Sequence, residues 1–173
     1  YATQSNRHIG STAKPIFDYA PAVEYLGWGT ENYIVDEPHS YSDGTKISNS
    51  DGGYKGTLPM YQALGLSRNI TALKTFQQVS KEAGNDKIIK FVTSLGITPE
   101  IENGKIHEAH SIGSFTGSTK KGESRNSPMT MAGAYQAFSN GGYYIKPHTI
   151  RKFIYKETDE VVETNVSKTR VMY

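Results

Sequence analysis

The chain has no cysteine among its 173 residues. Thiol nucleophiles, disulfides and thiolate metal sites are therefore excluded. The absence suits an exported bacterial protein, but many cytosolic proteins share it. No apolar run approaches the roughly 18 residues of a membrane span, and no signal-peptide pattern is visible. An anchor, if the parent protein has one, is expected outside this chain. An excess of one charge sign is also lacking, since the net charge is only +2. Lys120-Lys121 and Arg151-Lys152 are isolated pairs that read as solvated, which argues against a nucleic-acid partner. Trp28 is the only tryptophan and is expected to be a packing anchor. Against these absences stands a hydrophobic content of 36%, enough to build a core within one domain or part of a larger one. The first residue is Tyr1, and the chain reads as a piece of a longer polypeptide.

The order of periodicities is helices first, antiparallel strands last. Ile16, Tyr19/Ala20, Val23 and Leu26 have helical spacing, with Pro15 tolerable in a first turn. Pro21 predicts a kink or break near Ala20. Residues 27–56 are rich in Gly, Asn, Asp, Ser and Tyr and read as an extended loop region, with Tyr33-Ile34-Val35 as a short strand. Thr57 is expected to N-cap a helix reaching about Leu66, with Pro59 in its first turn. Further helices are expected from about Ile70 through Val79, and from Asp86 to Leu95 with Gly96 as a stop. Ser127-Pro128 opens another helix, closed by Asn140-Gly141-Gly142. From Tyr144 to Lys156 the pattern alternates as a strand, turning at Thr158-Asp159 into a return strand at Val161-Val162. This is an α+β pattern rather than alternating βαβ units.

Within this frame the segment Gly10-Ser11-Thr12-Ala13-Lys14-Pro15 carries the clearest chemistry. Ser11 and Lys14 are three residues apart, so on a helix both project from one face. A serine hydroxyl is a poor nucleophile until a neighbouring deprotonated amine takes its proton. The pair points to acyl transfer through a serine ester. Alone, S-x-x-K is a weak signal with an N-cap explanation, and it recurs as Ser118 to Lys121 in a polar stretch that reads as loop. Ser-Arg-Asn also occurs twice. Ser67-Arg68-Asn69 lies between two expected helices, where side chains can be held firmly toward a cleft; Ser124-Arg125-Asn126 reads as turn and cap.

The combination is more specific than its parts, because S-x-x-K together with S-x-N is part of the motif set of penicillin-binding proteins and serine β-lactamases. Further segments in order strengthen it: Asp18-Tyr-Ala-Pro-Ala-Val-Glu24, Asp36-Glu-Pro38, Asp51 with Tyr54 and Gly56, Ala63-Leu64, Ala134-Tyr135 and Ala137-Phe-Ser-Asn-Gly-Gly142. Over nearly its whole length the chain resembles the transpeptidase domain of class A, bifunctional penicillin-binding proteins, nearest to Gram-positive members. The resemblance implies the penicillin-binding protein transpeptidase and β-lactamase-like fold, an α+β arrangement with a helical subdomain and an antiparallel sheet flanked by helices. Residues 1–173 would then be a partial transpeptidase domain that stops before the family's third motif, with the glycosyltransferase domain and membrane anchor absent.

What the resemblance implies about function is a D,D-transpeptidase that cross-links peptidoglycan stem peptides and is a target of β-lactam antibiotics. Ser11 would be the nucleophile, Lys14 the general base, Ser67 the proton relay and Asn69 the group that binds the donor backbone and helps fix Lys14. No metal or organic cofactor is implied. The partners would be a D-Ala-D-Ala donor peptide, an amine acceptor and β-lactams, with the protein on the outer face of the cytoplasmic membrane. The third family motif, K-[ST]-G, does not occur in this sequence; Phe115-Thr116-Gly117-Ser118-Thr119 imitates its tail without the lysine. Two alternatives follow from the same residues: a D,D-carboxypeptidase or serine β-lactamase that passes the acyl group to water, and a non-catalytic penicillin-sensing or cell-wall-binding module. His107 and His110, spaced i and i+3 without a third ligand pattern, read as a surface loop rather than a metal site.

Overall fold

The structure, a computed structural model, describes residues 2–3, 8–114 and 126–173. Residues 10–26 wind almost continuously. A 3-10 turn, Gly10–Ala13, leads through Lys14 into a π-helical turn, Pro15–Tyr19, and then into α1, Ala20–Leu26. The sequence predicts a break or kink near Ala20; the chain instead changes its winding there. The Ala20 N–H donates to Pro15 O, five residues back. This wider turn ends where Pro21 enters the first turn of α1, a position that needs no proline N–H. Gly27, at φ +66°, ends the helix with its N–H on Ala22 O.

Residues 27–59 form short strands, as the sequence suggests, but with one shift. Strand β1, Tyr33–Asp36, pairs antiparallel with β4, Gly56–Pro59, and β2, His39–Ser40, with β3, Lys46–Ile47. Thr57 therefore faces Val35 in a ribbon and does not cap a helix. The reason is visible in burial: Leu58 opposite Ile34 gives the ribbon an inward face. Helix α2, Met60–Gly65, begins three residues later, with Pro59 at its cap position.

Helix α3, Asn69–Glu82, is the central element. It buries Phe76 and Val79 against one cluster, Ala72 against a second, and Ile70 and Leu73 against a third. The largest cluster joins Ile16 and Phe17 of the π turn to Ile88, Phe91 and Val92 of α4, to Leu95 at the end of that helix, and to Ala134 and Ala137 of α5. Helix α4 spans Asn85–Ser94 and α5 spans Pro128–Ser139. Burial of side chains the size of Phe17, Phe76 and Phe91 contributes about 1.5–3 kcal/mol each. The polar groups of α3 that enter the core are partnered: Thr75 Oγ1 bonds Thr71 O at 2.8 Å, and Tyr19 Oη lies 3.0 Å from Thr71 Oγ1.

Between α4 and α5 lie β5, Ile101–Glu102, paired with β6, Lys105–Ile106, and a 3-10 turn, Glu108–Ile112. Ser127 caps α5 through Oγ, which accepts from Thr130 N at 3.2 Å. The long strand expected from Tyr144 to Lys156 is two strands. Strand β7, Tyr143–Ile145, pairs with β10, Lys168–Arg170, while β8, Lys152–Ile154, pairs with β9, Val161–Glu163. Pro147 falls in the interruption, where its missing N–H would break a ladder. The expected turn at Asp159 is present, with φ +54° and its N–H on Tyr155 O. The fold is thus mixed helix and antiparallel strand, and its described strands pair as two-stranded ribbons rather than as one broad sheet.

Candidate active site

Helical spacing alone would place Ser11 and Lys14 on one face, and the winding of residues 10–19 sends them into opposite environments. Ser11 is exposed, whereas Lys14 is completely buried. The turn that carries Ser11 is anchored by the Gly10 N–H, which donates to Gly113 O at 3.3 Å. Both glycines have positive φ, and a Cβ at Gly113 would collide with the Gly10 backbone. From the other side, Tyr135 Oη of α5 donates to Thr12 O at 2.9 Å.

Lys14 Nζ ends among three acceptors from the α2–α3 connection. It donates to Ser67 O at 2.5 Å, to Ser67 Oγ at 3.0 Å and to Asn69 Oδ1 at 2.7 Å. Three acceptors match the three hydrogens of an ammonium. Burial acts in the opposite direction and lowers the Lys14 pKa to about 8, aided by the charge of Arg68 and opposed by Asp18. The amine is thus held by groups that suit its charged form, in a place that penalises that charge.

The connection reaches Lys14 through an unusual backbone. Ser67 has φ +53°, the left-handed region, where a side chain costs on the order of 1 kcal/mol. The conformation is held by Ser67 N on Leu64 O at 2.9 Å and Arg68 N on Ala63 O at 3.0 Å. It turns both the carbonyl and the hydroxyl of one residue toward the same Nζ. Asn69 follows as the first residue of α3, and its Nδ2 donates to Ser48 O at 3.0 Å. Of the residues singled out in the sequence, the structure brings Lys14, Ser67 and Asn69 into direct contact. Ser11 lies one turn before Lys14 and is not among the described groups bonded to Nζ. The second S-x-x-K, the Phe115–Thr119 segment, and Ser124 and Arg125 lie outside the described residues.

Asp18 entered the sequence reading only at the head of a family-like segment, with no chemical role assigned. It follows Lys14 by four residues, is wholly buried, and neither carboxylate oxygen has a hydrogen-bond partner among the described residues. Desolvation raises its pKa well above the ordinary value, partly opposed by Lys14. Its place four residues after Lys14, within one wide turn, was a legible signal. The surface-loop expectation for the histidines holds for His107, which is exposed, and fails for His110. His110 is buried against Phe17, its Nε2 accepts from Glu100 N at 3.1 Å, and burial lowers its pKa to about 4.

Comparison with known proteins places this geometry in a family. The model of the penicillin binding protein transpeptidase domain matches residues 1–172. Penicillin-binding protein 1A/1B of Bacillus subtilis is 41% identical over 169 residues, covering 98% of this chain and 17% of that protein. Penicillin-binding protein 1A of Streptococcus pneumoniae is 39% identical over 173 residues, covering 99% of this chain and 23% of that protein. The chain therefore spans less than a quarter of the length of these relatives. Its fold is similar to the crystal structure of penicillin-binding protein 1A from Haemophilus influenzae, with a TM-score of 0.73 and 28% identity, over 96% of this chain and 23% of that one. It also resembles penicillin-binding protein A of Mycobacterium tuberculosis in an imipenem acyl-enzyme complex, with a TM-score of 0.72 and 16% identity, over 98% of this chain and 41% of that one. By its motifs, its fold and a family match across nearly its whole length, the chain belongs to the penicillin-binding protein transpeptidase domain family.

Proposed function

We propose that this chain carries the acyl-serine centre of a D,D-transpeptidase, with Ser11 as nucleophile, Lys14 as general base, Ser67 as proton relay and Asn69 as donor-binding residue. The observation that carries the reading is the environment of Lys14: a buried amine, one turn after an exposed serine, bonded to Ser67 Oγ and Asn69 Oδ1. A base must be neutral to accept a proton. With a pKa of about 8, roughly a tenth of Lys14 is already neutral at pH 7, against well under a hundredth for an ordinary lysine.

In the proposed reaction Ser11 Oγ attacks the carbonyl of the penultimate D-Ala while its proton passes to Lys14 Nζ. The tetrahedral intermediate collapses, the C–N bond to the terminal D-Ala breaks, and the departing amine takes a proton relayed through Ser67. An amine of a second stem peptide then attacks the ester, forms the cross-linking amide and returns Ser11 to its hydroxyl form. The Ser11 N–H would serve the oxyanion, with a second donor from the strand bearing the K-[ST]-G motif. Asn69 retains one amide hydrogen for the donor peptide beyond the one given to Ser48 O. The exposed position of Ser11 suits attack by a β-lactam, which would leave an ester on the same oxygen. No described helix is long and apolar enough to cross a membrane. The outer face of the cytoplasmic membrane is proposed from the expected substrate alone.

The test is covalent labelling of the intact protein by a fluorescent penicillin. Wild type labels and Ser11→Ala does not; persistent labelling of the folded variant at the same site would overturn the assignment.

A further inference from the structure

The α2–α3 connection is gripped from behind by a polar cluster that the reaction above does not use. Helix α3 begins without a side-chain cap of its own, since Arg68 at the cap position turns elsewhere. The cap comes from Asn49, twenty residues earlier. Asn49 Oδ1 accepts from Asn69 N at 2.8 Å and from Ile70 N at 3.3 Å. Its Nδ2 donates to Asp36 Oδ1 at 2.8 Å and to Gly53 O at 2.9 Å. Two lone pairs and two hydrogens are all used, so the amide has one orientation.

Arg68 completes the grip. Its Nε donates to Asp36 Oδ2 at 2.8 Å, Nη1 to Asp51 Oδ2 at 2.8 Å and Nη2 to Gly53 O at 2.5 Å. Asp36 Oδ2 also accepts from Lys55 N at 3.0 Å. Asp36 is fully buried, and Asn49 and Arg68 are each 4% exposed. A buried ion pair is a poor source of stability, because desolvation consumes most of its attraction. What this one does is geometric. Arg68 stands between Ser67 and Asn69, so anchoring its guanidinium and the Asn69 N–H fixes the backbone on both sides of Arg68. Those flanking residues are the ones that meet Lys14.

We propose that Asn49, braced by Asp36 and Arg68, is a positioning residue that sets Ser67 and Asn69 in register with Lys14. The proposal rests on the reading of Ser11, Lys14, Ser67 and Asn69 as the acylation site. Asn49 touches no reacting atom. It acts through the corner it holds, and misplacement of catalytic groups by about an ångström costs up to roughly 100-fold in rate.

The experiment is single-turnover acylation of the intact protein by a fluorescent penicillin over a range of concentrations. It separates the limiting acylation rate from the half-saturating concentration. Asn49→Ala is expected to lower the limiting rate by about 10- to 100-fold while half-saturation moves much less. Asn49→Asp alone puts a second carboxylate against Asp36 and is expected to lose rate as well. The exchange Asp36→Asn with Asn49→Asp restores the donor–acceptor pairing between residues 36 and 49 and the net charge, keeps an acceptor for the α3 N–H groups, gives up the bond from residue 49 to Gly53 O, and is expected to recover part of the rate. If Asn49→Ala does not fold, Asn49→Ser is read in the same assay. A folded Asn49 variant that acylates at the wild-type limiting rate would overturn the proposal. So would an exchange variant no faster than the slower of its two single changes. Ser11→Ala run in parallel keeps the two readings apart: labelling that survives it defeats the site assignment, whatever the Asn49 variants do.

Discussion

Lys14 has no exposed surface, while Phe153 on the β8–β9 ribbon is 51% exposed. The two regions invert the usual relation between polarity and burial. Around Lys14, a lysine, two aspartates, an asparagine and an arginine are taken out of water. On the ribbon, Phe153 faces Val162 and Ile154 faces Val161, and all four are exposed. In the ribbon, alternation and a tight turn make strands, and cross-strand pairs hold them together, yet a lone hairpin is only marginally stable. In the Lys14 corner the polar atoms of Lys14, Asp36, Asn49 and Arg68 are bonded to neighbouring side chains or to the backbone, with Asp18 the exception, so a set of groups costly to bury becomes a set with one arrangement. Apolar pattern therefore marks the element, and the bonding of polar groups marks the site.

The largest test of this contrast is Lys14→Met, which keeps the volume and removes the amine. Loss of the proposed general base is expected to slow acylation by about 100- to 10,000-fold. The melting temperature should not fall in proportion, because a charge that burial disfavours is also removed. The wild-type acylation rate should rise with pH through about 8, since burial lowers the Lys14 pKa and the proposed base acts as the neutral amine. A rate independent of pH between 6 and 9, measured by quenched labelling, would show that Lys14 is not the base.

A smaller effect is expected at Asp18. Its carboxyl has a raised pKa in the folded protein and an ordinary one when unfolded. Between those values the folded state binds the extra proton, so this group makes stability fall as pH rises. Asp18→Asn removes that dependence and should raise the melting temperature by roughly 2–5 °C at pH 7, with a smaller gain at pH 4. Equal changes at both pH values, by calorimetry, would place the effect in packing rather than in ionisation. The smallest effect is expected on the ribbon. Phe153→Ser should alter stability by no more than about 0.5 kcal/mol by urea unfolding, as exposed sites do. A loss of several kcal/mol there would break the comparison, because the ribbon would then have to carry buried weight.

Much of this molecule was legible residue by residue. The periodicities of α3, α4 and α5 and their Ser127, Gly96 and Asn140-Gly141-Gly142 boundaries are local signals, written within one or two turns. Thr57 misled because capping chemistry and strand pairing compete for the same residue, and the partner strand lies over twenty residues away. The run from Tyr144 to Lys156 misled because alternation cannot tell one strand from two that pair with different partners. His110 misled because nothing in a polar stretch announces that one turn will pack on Phe17.

The spacing of Ser11 and Lys14, the presence of Ser67-Arg68-Asn69 and the order of the helices were determined by the sequence alone. Each depends on neighbours a few residues apart. Only the tertiary structure decided that Lys14 is buried, that Ser67 and Asn69, 53 and 55 residues further on, supply its acceptors, and that Asn49 caps the helix they introduce. Those contacts close long loops, so they exist only once the core has assembled and met the cost of that closure.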